Sequence, residues 1–202
     1  YVQSLAEEYD GYGRTRQFHS TRGDVIIIEG GTYGSKMDRK KETVYLMEHL
    51  PDPGVHTGTP QTHIPSYERE AFCYGKNDIG DTYIEVDMTE QKMYYYEKGV
   101  LKLETEIVTG NMRRRMGTPE GVNFVYNKQK NRVLRGPGYA SPVKFWMPVK
   151  GGIGIHDAGW RKEFGGDIYQ TAGSHGCINT PKDKMEELFD CVQIGTPVVM
   201  FY

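Results

Sequence analysis

The sequence predicts an α+β protein, mainly β, in which a small partial α/β region (residues 1–78) precedes a larger β-rich part (79–202). Three observations point there. Alternating apolar and polar runs crowd the second part. That part has one clear helical stripe, close to its C-terminus. Glycine (25) and tyrosine (15) are abundant in 202 residues, as in a turn-rich β protein.

Each element follows from its local pattern. Val2, Leu5 and Tyr9 share one helical face at the N-terminus. "DVIIIEGG" (24–31) is a short apolar strand ended by a glycine pair. "DRKKETVYLMEHL" (38–50) reads as a helix capped by Asp38, with Val44, Leu46, Met47 and Leu50 as its apolar stripe. The prolines and glycines from Pro51 to Pro65 break that pattern and predict an extended connection up to about Ser66. "TYIEVDM" (82–88) alternates strongly. The run 91–110 is two alternating segments around Glu97-Lys98-Gly99, a hairpin signal. Further strands are expected near 122–126, 143–148 and 153–156. "PKDKMEELFDCV" (181–192) is a helix with Pro181 in its first turn and Met185, Leu188, Phe189 and Val192 as its stripe. "GTPVVMFY" (195–202) closes the chain as a buried strand.

Composition excludes several classes. Hydrophobic residues at 37% and charged residues at 26% describe a globular chain, not a disordered one. A formal charge of −2 offers no broad nucleic-acid surface. No apolar run reaches the roughly 18–20 residues that span a bilayer. The chain starts at Tyr1 inside a ready helical pattern, so it reads as a piece of something longer. Three cysteines make no disulfide framework. For Cys73 and Cys191 two buried free thiols are favoured, with a bridge between them left open.

The third cysteine sits in "TAGSHGCINTP" (171–181), among small and polar residues. A thiol is a good nucleophile only as thiolate, and a free cysteine with pKa about 8.5 is mostly protonated at neutral pH. An imidazole can take the proton, and a helix N-terminus or backbone N–H groups can stabilise the anion. Gly176 lets a substrate approach the backbone, and the N–H groups of Gly176 and Cys177 are candidates for an oxyanion hole. His175 is one candidate base but need not be it, since residues that close in sequence often cannot align ring nitrogen and sulfur, and nucleophile and base usually meet through the fold. The other candidate is His156 in "GGIGIHDAGW", at a strand end beside Asp157. Cys73, Cys191, His19, His49, His56 and His63 are read as ordinary structural residues. A zinc site built from His156, His175 and Cys177 is the second chemical reading, but no C-x-x-C or H-E-x-x-H pair supports it.

His156 followed by "SHGCIN" (174–179) resembles the signature of the L,D-transpeptidases with a YkuD-type catalytic domain. The spacer 157–173 is at the upper end of the family's range. "TPEGVNFV", "GIGIHDAGWR" and "GTPVVMFY" look like family segments in the expected order, so the resemblance covers residues 79–202. "NMRRRMGTPEG" departs from the family's usual texture after Gly110. The region around "GGTYGSKMD" resembles the end of a domain, thought to bind peptidoglycan, upstream of some Gram-positive members.

The resemblance implies a β-sandwich-like catalytic domain and a peptidoglycan cross-linking enzyme. Cys177 would attack the carbonyl of the third residue of a stem tetrapeptide and release D-Ala, leaving a thioester acyl-enzyme. A side-chain amine of a second stem would resolve it into a 3→3 cross-link, and water would instead make the enzyme an L,D-carboxypeptidase. His156 would be the base, oriented by the backbone carbonyl of Asp157, and His175 would shape the site. Gly176 and Cys177 would form the oxyanion hole, while Ser174 and Asn179 brace the loop. No metal or cofactor is implied. Carbapenems would be inhibitors, stem peptides the partners, and nucleic acid no partner. The location implied is extracytoplasmic, at the cell wall or outer face of the membrane, with a membrane link only through an anchor outside this chain.

Of the aromatics around the two motif halves, Trp160 and Tyr169 are expected to line the substrate groove, and Trp146 and Phe164 to cover the core. Arg113–Arg115 read as a solvated loop, with an anionic stem peptide as the less favoured partner. A papain-like peptidase is disfavoured by order, since there the histidine follows the cysteine. A wall-binding module with an idle thiol is separated by alkylation: an activated Cys177 would titrate below the ordinary thiol value.

Overall fold

The computed structural model describes residues 1–49, 63–136 and 138–202. Its N-terminal region contains α1 (Val2–Tyr9), β1 (Arg16–His19), β2 (Val25–Ile28), β3 (Lys36–Met37), α2 (Arg39–His49) and β4 (Tyr67–Arg69). β1 and β2 form an antiparallel hairpin, and β3 pairs with β4. Alternation sends Phe18 inward and leaves Gln17 and His19 exposed. Ala6 is the buried residue of α1, so the expected Val2–Leu5–Tyr9 face is only partly covered.

The second helix corrects its sequence reading. Asp38 caps it, accepting the Lys41 N–H at 3.1 Å. However, Val44 and Met47 are 54% and 71% exposed, and the buried residue is Glu42. The Glu42 carboxylate meets His63 Nε2 at 3.0 Å and the Ser66 N–H at 3.2 Å. These polar bonds, not an apolar stripe, turn the helix inward. Leu50, His56 and most of the expected proline-rich connection lie outside the described residues.

The larger part contains β5 (Tyr83–Asp87), β6 (Lys92–Glu97), β7 (Val100–Glu106), β8 (Gly121–Phe124), β9 (Gln129–Gly136), β10 (Tyr139–Lys150), β11 (Ile153–Asp157), α3 (Ile168–Ala172), β12 (Ile178–Thr180), α4 (Lys182–Cys191) and β13 (Pro197–Phe201). They build a five-stranded sheet, β7-β6-β5-β13-β8, and a four-stranded sheet, β12-β11-β10-β9. Lys98 and Gly99 link β6 to β7 with φ of 51° and 75°. Two left-handed residues in a two-residue loop match the right-handed twist of a hairpin.

Ile84, Val86, Met93 and Tyr95 from the first sheet pack with Phe145, Met147, Ile155 and Ile178 from the second. Met185, Leu188, Phe189 and Val192 of the α4 segment complete this core. Cys191 is exposed, not part of that stripe, and Cys73 is half-buried. At about 100° per residue, position 191 falls well off the line through 185, 188 and 192. Both thiols are free, so no bridge joins them.

The outer face of the five-stranded sheet carries the N-terminal region. Phe18, Ile28 and Tyr33 share a second core with Val122, Val199 and Phe201. Gly31, at φ 99°, bridges Val122 so closely that a Cβ there would lie 2.0 Å from its carbonyl oxygen. Glu85 and Asp87, the alternate residues of β5, are buried against the hairpin loop. Glu85 accepts from Thr21 N and Oγ1 at 2.8 and 2.7 Å, and Asp87 pairs with Arg22 at 3.1 Å. Arg16 grips Asp78 with two bonds of 2.8 and 2.6 Å, both residues buried. Such a paired, doubly bonded ion pair fixes orientation, and losing one partner would strand a buried charge.

No helix among the described residues is long and apolar enough to cross a membrane.

Candidate active site

Three neighbouring strands assemble the site. β11 lies between β10 and β12, and His156 is opposite Trp146 on one side and Asn179 on the other. Cys177 is two residues before Asn179, so the period of two brings both to one face. A cleft of about 180 Å³ opens there, lined by His156, Cys177, Asn179, Trp160, Arg161, Ser174 and His175, with Leu134, Tyr139, Ser141 and Gly173 completing the wall.

The loop carrying Cys177 is held by its own short bonds. Ser174 Oγ donates to the Cys177 carbonyl at 2.6 Å and accepts the Gly176 N–H at 3.0 Å. Gly176 adopts φ 114°, a conformation that favours glycine. Its carbonyl accepts from Thr118 Oγ1 at 2.8 Å, and the same hydroxyl accepts the Gly110 N–H at 2.9 Å. Asn111 donates from Nδ2 to the Thr171 carbonyl at 2.8 Å and from its backbone to Ser174 at 2.9 Å. The segment after β7 therefore clamps the cysteine loop.

His156 is 3% exposed and lies between two indoles, Trp146 and Trp160, each 5.8 Å away. Its Nδ1 is 2.9 Å from the carbonyl of Asp157. A carbonyl only accepts, so Nδ1 carries the proton and Nε2 the lone pair. The Asn179 amide is assigned from its partners, since a guanidinium only donates: its oxygen then takes Arg161 Nε at 2.7 Å and Nη2 at 3.3 Å, and its nitrogen donates to His156 Nε2 at 3.2 Å. The Asp157 carboxylate points elsewhere and accepts the Phe145 N–H at 2.7 Å.

Burial holds the His156 pKa below the ordinary imidazole value, and the Arg161 charge adds to this against the pull of Asp157. Burial also pushes the Cys177 thiol up. Both directions favour the neutral forms, a thiol and an imidazole, in the resting site. The direction at the thiol is opposite to the low midpoint that would mark a preactivated Cys177. It also leaves the helix after the loop little part in the resting state, since α4 starts only at Lys182. The thiol points toward the Gly152 carbonyl, with Sγ 3.8 Å from that oxygen.

Other expected residues are distributed as follows. His175 is exposed and stacks on Tyr139, with ring centroids 4.7 Å apart. The zinc reading finds no support in geometry: no group of three or more metal-ligating side chains is gathered among the described residues. The Gly176 N–H is engaged by Ser174, so of the two expected oxyanion donors it is already taken. Trp160 lines the cleft, but Tyr169 faces a separate depression with Met112, Arg113, Gln170 and Thr171. Arg113, Arg114 and Arg115 are exposed. Sequence reasoning missed Arg161, Tyr139, Thr118 and Asn111, and set Trp146 in the core alone. Asn111 and Thr118 both lie in "NMRRRMGTPEG", yet no pattern in that segment marks a side chain that reaches a loop about 60 residues away.

Fold and site together define a class: a two-sheet, mainly β protein with a cysteine and a buried histidine on one cleft. The model of the L,D-transpeptidase catalytic domain, YkuD, matches residues 81–200, and the chain belongs to that family of enzymes. It is similar to a crystal structure of an Enterococcus faecium L,D-transpeptidase cysteine-to-serine mutant, with 39% identity, TM-score 0.86, and coverage of 100% of this chain and 79% of that one. It is also similar to the E. faecium catalytic domain acylated by ertapenem, with 51% identity, TM-score 0.55, and coverage of 60% and 98%. An L,D-transpeptidase from Mycobacterium smegmatis shares the fold at 22% identity and TM-score 0.52, over 60% of this chain and 59% of that one. No curated protein matches the chain significantly.

Proposed function

We propose that the protein is a peptidoglycan L,D-transpeptidase that forms 3→3 cross-links through a thioester on Cys177. The observation that carries this is the pairing, on one cleft, of Cys177 with a buried His156 whose Nε2 bears no proton. The Asn179 contact to Nε2 is at the long end of the hydrogen-bond range and yields to the thiol proton.

As Sγ bonds to the carbonyl of the third stem residue, His156 Nε2 takes the thiol proton. The oxyanion forms against the Cys177 N–H, and the imidazolium then protonates the departing D-Ala amine. The side-chain amine of a second stem attacks the thioester, loses its proton to His156, and the thiol leaves with it. The Ser174 bonds and the Thr118 clamp keep the loop in place through both steps.

A second depression, lined by Tyr126, Arg132, Arg135, Trp146 and Gly152, also reaches Cys177 and shares Leu134 and Tyr139 with the first. Two approaches to one sulfur suit a donor and an acceptor stem, which favours cross-linking over the carboxypeptidase reaction. The ertapenem adduct of the similar E. faecium domain supports carbapenem acylation at Cys177. A peptidoglycan substrate would put the enzyme outside the cytoplasm, at the cell wall or the outer face of the membrane. Residues 1–78 are read as part of a wall-binding domain docked on residues 79–202.

The test is mass spectrometry of products from a purified disaccharide-tetrapeptide. Loss of D-Ala with a 3→3 dimer supports the reading. Tripeptide without dimer replaces it with the carboxypeptidase, and no turnover by folded protein overturns both for that substrate.

A further inference from the structure

An asparagine beside an imidazole can present either end of its amide. With the oxygen toward Nε2 it accepts a proton held there, favouring the Nε2–H tautomer and the imidazolium. With the nitrogen toward Nε2 it donates to a lone pair, favouring the neutral Nδ1–H form. Only the second form leaves a base facing the cleft. A guanidinium has donors alone, so it demands the amide oxygen.

Arg161 meets that demand. Its Nε and Nη2 lie 2.7 and 3.3 Å from the Asn179 oxygen, and the Asn179 nitrogen then lies 3.2 Å from His156 Nε2. Nη2 also donates to the Ala172 carbonyl at 2.9 Å, which anchors the guanidinium to the segment leading into the cysteine loop. We propose that Arg161 is a positioning residue: by holding the Asn179 oxygen it turns the amide nitrogen toward His156 and keeps that histidine neutral, with Nε2 as the free base. This rests on His156 being the base of the proposed reaction.

The Asp157 carbonyl fixes the proton of the neutral ring on Nδ1 but favours the charged ring as well, so it leaves the discouragement of a proton on Nε2 to Asn179 and Arg161. On the same segment, the Asp157 carboxylate is taken by the Phe145 N–H. β10 contributes Trp146 opposite and the Tyr139 phenol across the cleft, and the cysteine loop contributes His175 and Cys177. No carboxylate lines the cleft, and Arg161 is its one permanently charged side chain among the described residues.

The experiment is 15N NMR of the histidine rings of the full chain, wild type and Arg161→Met, titrated with pH, beside the pH profile of acylation by ertapenem. Wild-type His156 is expected as the neutral Nδ1–H tautomer. In Arg161→Met the Asn179 amide can turn its oxygen to Nε2 and accept a proton there, so the His156 midpoint and the acid limb of acylation should rise together by about one pH unit, while the Asp157 carbonyl keeps the proton of the neutral ring on Nδ1. Arg161→Lys, which retains charge and a donor, should restore most of the wild-type behaviour. Wild-type His156 found as the Nε2–H tautomer overturns the proposal without any variant. So does an Arg161→Met protein with unchanged ring midpoint and acid limb, even if its rate falls equally at all pH values. The ring titration needs no substrate, so failure of the cross-linking assay and failure of this inference are told apart.

Discussion

In the five-stranded sheet, β5 and β13 are covered on both faces, by the apolar core on one and the N-terminal region on the other. The four-stranded sheet gives one face to that same core and opens the other to the cleft that holds His156, Asn179 and Cys177. Burial in the first is cumulative, apolar on the core side and joined on the other by the paired carboxylates of Glu85 and Asp87. The second depends on register, because a one-residue slip would carry every site side chain to the wrong face. Stability and chemistry are thus concentrated in different sheets, and substitutions in the two should fail in different ways.

The largest effect expected is at the sulfur. Cys177→Ala should abolish acylation by a carbapenem, seen as no mass adduct, while its melting temperature stays within a few degrees of wild type. A loss of stability as large as that of a core substitution would break the comparison. His156→Ala should slow acylation by roughly 10²–10⁴-fold, the usual worth of a general base, as measured by stopped-flow quenching or adduct mass. Ile84→Ala, in the fully buried middle of β5, should cost about 2–5 kcal/mol in denaturant unfolding, with acylation per folded molecule largely kept.

Thr118→Val tests the seam between the sheets. It removes the hydroxyl that joins Gly110 to Gly176, so it should cost about 1–3 kcal/mol and also slow acylation. Stability lost with an unchanged rate would show that the loop needs no clamp. The smallest effect is on pH dependence. With the His156 pKa lowered, the base stays neutral on acidification, so the acid limb of acylation should lie below the ordinary histidine value of about 6.5. With the Cys177 pKa raised, alkylation by iodoacetamide should titrate above the ordinary thiol value. Midpoints on the other sides of those values would mean a preformed thiolate–imidazolium pair.

The mainly β class, the β6–β7 hairpin, the α4 stripe and the Cys177–His156 pair were legible in the chain, because each is written in neighbouring residues or in a family signature. β9 was not, since it is largely exposed and carries no apolar alternation, and β12 is too short for a period to show. The burial of Glu42 was hidden for a related reason, because its partners come from beyond the helix. The ties of Thr118, Asn111 and Arg161 to the cysteine loop were likewise invisible.

By itself the sequence determined most of the local elements, the family and the two side chains proposed to react. Only the tertiary structure decided their surroundings: burial that pushes the thiol pKa up and the imidazole pKa down, a Gly176 N–H already taken, Tyr169 outside the cleft, and an arginine beside the amide that faces His156. Periodicity and motifs report what a residue's neighbours in the chain demand. Burial, hydrogen-bond direction and proton position depend on atoms that folding brings from elsewhere, and these set the chemistry.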